Sequence, residues 1–136
     1  MYAWRLMGGK LGTILARAGH DVVFSYSRSQ RKLKRLAREA QGQARAGTPG
    51  EAALHADALL LAVHWSHVGA VLKEAGDLSG KVIITCSLPM NANDTALAVA
   101  HTSSGAETLA KKVPKAHVVS AFSTVPSEVL FDVFRR

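Results

Sequence analysis

Apolar side chains at Leu11, Ile14, Leu15 and Ala18 recur with helical spacing, and Gly19 follows as a stop signal. The spacing predicts a short amphipathic helix over 9–18, opening at Gly8-Gly9. The period then changes. Val22–Tyr26 is rich in β-branched and aromatic residues and predicts a strand. Ser29–Ala40 returns to helical spacing, with Leu33, Leu36 and Ala37 on one face, and Ala44–Ala46 predicts a brief strand. Thr48, Pro49 and Glu51 form a start signal: a capping hydroxyl, a proline at the first helical position and a carboxylate three residues after the cap.

Ala58–Val63 is apolar without alternation, the pattern of a parallel strand buried on both faces. The rhythm then repeats. A helix is predicted over Ser66–Ala75, a second buried strand over Lys81–Thr85, and a long polar loop over Ser87–Ser103. A helix over Ser104–Val113, a strand over His117–Ala121 and a short helix over Pro126–Phe134 complete the series. Strands alternating with helices predict an α/β fold with a parallel sheet covered on both sides.

A chain of 136 residues, 48% apolar, has the size and composition of one globular domain. The longest apolar run is far short of a membrane span. One cysteine, Cys86, excludes an internal disulfide and fits a reducing, cytoplasmic setting. The net charge is +7, and six basic residues with no acid lie in Arg28–Arg38. That stretch reads as a solvated helix face, as a nucleic-acid patch or as a phosphate site at a helix start. No aromatic residue is interleaved with the charges, so nucleic acid is not expected as a partner, nor is a membrane.

Parallel α/β sheets bind ligands at the carboxyl ends of their strands. The segment after the first strand, Ser25 to Lys32, contains no acid; Ser27, Arg28 and Lys32 offer a hydroxyl and two cations at a helix N-terminus. In dinucleotide-binding folds an acid here selects NAD, and an arginine accommodates the 2′-phosphate of NADP. After Ala58–Val63 come His64, Trp65 and His67. Two histidines three apart, with no carboxylate or thiol near in sequence, do not make a metal site. Val63 and His64 are expected to present backbone to a ribose–pyrophosphate, with Trp65 as a wall. Ser87 and Pro89 open the loop after the next strand, which suits a nicotinamide ring. Cys86 has no paired histidine in sequence and is read as structural.

These pieces carry a resemblance. "LARAGHDVVFSYSRS", "ARAGTPGEAALHADALLLAV" followed by Trp65, "SLPMNANDTALAVAHTSSGAETLAKKVP" and "VVSAFSTVPSEVLF" together resemble the NADP-dependent oxidoreductases that work with the deazaflavin coenzyme F420. The resemblance runs from about Gly8 to Phe131. It implies a Rossmann-type doubly wound parallel sheet and hydride transfer between NADP(H) and coenzyme F420 or a flavin. It places Ser27, Arg28 and Lys32 on the 2′-phosphate, Trp65 after the fourth family strand, Pro89 after the fifth and Ala121 at the end of the sixth. Gly8 falls on the third glycine of the G-x-G-x-x-G fingerprint, so Met7 and Gly8 join the cofactor-binding set. Hydride transfer between stacked rings needs positioning more than acid–base chemistry, so no catalytic residue is assigned.

The first two fingerprint positions fall on Ala3 and Arg5, whose side chains would obstruct a tight pyrophosphate turn. The expectation is therefore a single dinucleotide-binding domain over 1–136, lacking its first strand and incomplete at both ends. Little activity is expected of it alone. A non-catalytic, truncated or vestigial nucleotide-binding module is the alternative, and the exposed sheet edge leaves room for a homodimer.

Overall fold

The computed structural model describes residues 3–135, and side chains over 6–135. The elements run α1 (Ala3–Arg17), β1 (Val22–Phe24), α2 (Gln30–Ala40), β2 (Ala44–Ala46), α3 (Pro49–His55), β3 (Ala58–Leu61), α4 (Val68–Ala75), β4 (Val82–Thr85), α5 (Gly105–Lys112), β5 (His117–Ser120) and α6 (Leu130–Phe134). Single 3₁₀ turns, Trp65–His67 and Ser127–Val129, lead into α4 and α6. The expected strand–helix alternation is present throughout. The start signal at Thr48 acts as read, and Ser104 forms a second capping box: Thr48 and Ser104 accept from the backbone N–H of Glu51 and Glu107, whose carboxylates accept in return from the Thr48 and Ser104 N–H groups. Ser29 caps α2 in one direction only, its hydroxyl oxygen accepting from the Lys32 N–H.

All strand pairs are parallel, but the strands form two separate sheets: β1-β2, and β3-β4-β5. Among the described residues no ladder joins β1 to β3, so each sheet keeps an unpaired inner edge there. The parallel strands in two small sheets are consistent with a Rossmann-like fold. A cavity of about 60 Å³ lies between β3 and the helices α3 and α4, lined by Leu59, Leu61, Ala52, Val71 and Leu72 and reaching Ser25 after β1.

Both faces are covered, which explains the unbroken apolar strands. Leu59 and Leu61 join Val68, Ile83 and Leu109 in a core under α3, α4 and α5. Leu60 and Ala62 point the other way, to Met7 and Leu11 on α1, Cys86 just after β4 and Leu130 on α6. A third cluster of Ala16, Phe24, Leu33 and Ala40 sits between β1-β2 and the pair α1, α2.

One element departs from expectation. The first helix opens at Ala3, not at Gly8-Gly9. The backbone at Ala3 and Arg5, assigned to the fingerprint turn, is helical; the side chains of Ala3 and Arg5 lie outside the described residues. Gly8 and Gly12 face inward one turn apart. A Cβ at Gly8 would lie 3.1 Å from the Ala62 Cβ, and one at Gly12 would lie 2.4 Å from Phe24 Cε1. These two glycines let α1 lie across both sheets.

The contact predicts opposite effects at neighbouring glycines. Gly12→Ala gains about 1 kcal/mol of helix propensity, but must displace a buried ring at about 1–3 kcal/mol, so the net is a loss. At Gly9 the new methyl meets only the flexible end of Leu36, at 3.3 Å. Gly9→Ala should therefore be neutral or stabilising by up to about 1 kcal/mol. Urea midpoints check this, and equal shifts for the two variants would refute the close α1–β1 contact.

Candidate functional site

The loops after β3, β4 and β5 leave one carboxyl edge, because those strands pair in parallel, and the Tyr26–His67 contact brings the loop after β1 beside the loop after β3. The loop after β1 turns sharply at Tyr26, whose φ is +60°. Ser27 Oγ accepts from the Ser29 N–H at 3.2 Å, which leaves the Ser27 hydroxyl proton for another acceptor. Arg28 and Lys32 are exposed on either side of the α2 cap. Neither makes an ion pair among the described residues. Ser27, Arg28 and Lys32 thus flank the N-terminal turn of an eleven-residue helix.

The loop after β3 holds a network. His64 is buried, 7% exposed. Its Nδ1 accepts from the Ser66 backbone N–H at 3.2 Å and lies 2.7 Å from Ser66 Oγ. That assigns the ring proton to Nε2, which donates to Asp94 Oδ1 at 2.8 Å. Asp94 belongs to the long loop before α5 and sits at φ +57°. The pair therefore holds that loop against the end of β3. Across the sheet boundary, the Tyr26 hydroxyl lies 3.4 Å from His67 Nδ1.

The other assigned residues have distinct placements. Ser87 is buried and donates its hydroxyl to the Val63 carbonyl at 2.6 Å, tying β4 to β3. The carbonyls of Val63 and His64 are thereby engaged internally, the latter by the His67 N–H. Trp65 packs at the rim of the core below β3. Pro89 abuts the start of α5: a Cβ on Gly105 would meet the Pro89 ring at 3.2 Å. The Ala121 N–H donates to the Thr85 carbonyl, which fixes the end of β5 at the edge. Gly8 supplies the close approach of α1 to Ala62. Met7 is 5% exposed, and its side chain serves the core with Leu11 and Cys86.

The sequence reading missed Asp94, Ser66 and Tyr26. Asp94 lies thirty residues from His64, and nothing in the intervening pattern pairs them. It also places a carboxylate beside a histidine for which none was foreseen, although among the described residues no three such side chains are grouped to hold a metal ion. Among them, too, no helix is long and apolar enough to cross a membrane.

Fold and edge define an α/β protein with Rossmann-like architecture and a cationic rather than acidic loop after β1. The chain belongs to the family described as NADP oxidoreductase, coenzyme F420-dependent, whose model matches residues 6–89. Two solved structures share the fold. A protein of Arthrobacter sp. FB24, provisionally described as an F420-dependent NADP-reductase, superposes with a TM-score of 0.80 at 20% identity, over 91% of this chain and 61% of that one. Hypothetical protein SMa0349 of Sinorhizobium meliloti superposes with a TM-score of 0.78 at 23% identity, over 92% of this chain and 60% of that one. The chain spans about three-fifths of each structure's length.

Burial pushes the Cys86 thiol up to about 11. The thiol therefore carries almost no thiolate near neutral pH. Iodoacetamide should leave it unmodified in the folded protein at about pH 8 and alkylate it fully in denaturant. The same shift has a sign for stability. The unfolded chain loses this proton first, so stability falls as pH rises from the ordinary value of 9.0 towards about 11. Mass spectrometry and pH-dependent unfolding check the two statements.

Proposed function

We propose that the carboxyl edge binds NADP(H), with the adenosine 2′-phosphate at Ser27, Arg28 and Lys32. The observation that carries the reading is the α2 start: an unspent hydroxyl proton, two unpaired cations and a capped helix N-terminus within one turn. Membership of an NADP oxidoreductase family supports it. NADPH would supply a hydride, with coenzyme F420 or a flavin as acceptor. This chain's residues would orient the rings and exclude water. Trp65 and Pro89 are apolar walls, Val63, Ser87 and Ala121 hold the strand ends in register, and His64 with Asp94 holds the loop over the edge.

A second reading is favoured by one observation. Helix α1 runs through Ala3 and Arg5, the positions read as the first two of the fingerprint, so the backbone there is helical rather than a tight turn. That supports a nucleotide-binding module without turnover of its own. Gly8 fits the group, and the Ala3–Met7 backbone does not supply the expected turn.

Losing Arg28 removes a charge-assisted contact of about 2 kcal/mol, or about 30-fold in affinity. Calorimetry on Arg28→Ala should show that loss for NADP(H) and little change for NAD(H). Unchanged discrimination would mean that the cluster is only a solvated face.

Turnover separates the two readings. Loss of NADPH absorbance is followed with coenzyme F420, a flavin or ferric chelate as acceptor. The 136-residue chain is compared with a version extended at both ends along the pattern of its relatives. The expected result is binding of NADPH by the short chain with oxidation only by the extended one. Equal rates would sink the module reading.

A further inference from the structure

The outer side of β2 combines two features that the cofactor site does not use. The first is an open strand edge. The Gln43 carbonyl accepts from the Val22 N–H, and the Phe24 carbonyl accepts from the Gly47 N–H. With Val22 opposite Ala44 and Phe24 opposite Ala46, the parallel ladder turns Arg45 towards β1. Ala44 and Ala46 therefore direct their N–H and C=O groups outward, where no strand pairs with β2 among the described residues. The second is a groove of about 490 Å³ beside that edge, lined by Gln30, Arg31, Lys34, Ala37 and Arg38 of α2 and by Ala46 of β2.

Arg31, Lys34 and Arg38 recur at i, i+3 and i+7, on one exposed face, with no acid in the groove. The nearest ion pair on the helix, Arg35 with Glu39 at 3.7 Å, uses neither end of this row. Arg31 to Arg38 spans about 10 Å of helix axis. Alternate side chains of a strand stand about 6.6 Å apart. An added strand would therefore carry two successive same-face side chains past the cations.

We propose that this groove and edge bind an acidic extended segment, added as a strand beside β2, with carboxylates at alternate positions facing Arg31, Lys34 and Arg38. A second copy is a poor occupant. None of the strands β1 to β5 contains Asp or Glu, and pairing β2 with β2 would bring two cationic grooves together on chains of net charge +7. Nucleic acid would meet the cations but would make no use of the outward N–H and C=O groups. This inference does not depend on the cofactor reading, because Arg28 and Lys32 are not in the groove.

The test uses the whole chain and a fluorescent peptide alternating Glu and Val. Fluorescence anisotropy at about 50 mM salt, where charge-driven binding is strongest, should give saturable binding. Weakening by about tenfold or more is expected for Arg31→Glu/Arg38→Glu, and for a peptide N-methylated at alternate amides, which keeps the charge but cannot pair. The double variant lies at exposed positions and should keep the parent's far-ultraviolet circular dichroism. Hydrogen exchange at the Ala44 and Ala46 amides should slow with the peptide. Equal binding of the N-methylated peptide, or duplex DNA binding more tightly than the peptide, would make the groove a general polyanion surface and overturn the proposal. No peptide binding would also overturn it and leave the cations as guards of an open edge.

Discussion

The close approach of α1 to both sheets is the constraint on which the rest of the structure depends. Among the described residues no ladder joins β1 to β3, so the two sheets are held together by side-chain contacts across their boundary. Gly8 brings the helix against Ala62 at the end of β3, and Gly12 brings it against Phe24 on β1. Positions four apart lie on one face of a helix, so a single helix face spans the boundary. Larger residues there would lift α1 and separate the strand ends that form the edge.

The carboxyl edge depends on that registration. Tyr26 reaches His67 across the boundary, and Ser87 ties β4 to β3 through the Val63 carbonyl. His64, packed under Asp94, then draws the long loop over the strand ends. Each tie is a polar contact made by a residue that follows a strand. The apolar strands set the positions, and the polar residues just beyond them hold the loops. The chain's positive charge is divided by helix geometry: Arg28 and Lys32 flank the α2 cap at the edge, whereas Arg31, Lys34 and Arg38 face outward beside β2.

Much of this was legible from local chemistry. The capping box at Thr48 forms as its residues indicate, because a cap is satisfied within four residues of chain. The brief strand Ala44–Ala46 and the buried runs in β3 and β4 were likewise readable, since burial on both faces removes the need for polar alternation. The start of α1 was not. The glycines at 8 and 9 read as a helix opening, yet in the fold Gly8 and Gly12 serve close packing inside a helix that begins at Ala3. A glycine's local preference does not say whether it makes a turn or admits a neighbour.

Taken alone, the sequence determined the alternation of strand and helix, the caps, the cationic loop after β1 and the absence of an acid there. These are properties of short segments, decided by periodicity and by hydrogen bonds that close locally. Only the tertiary structure decided that the strands divide into two sheets, that Asp94 meets His64, that Ser87 is a tie between strands and that β2 keeps an open outer edge. Those facts depend on contacts between residues far apart in the chain. Such contacts are set by how whole elements pack, which no single stretch of residues encodes.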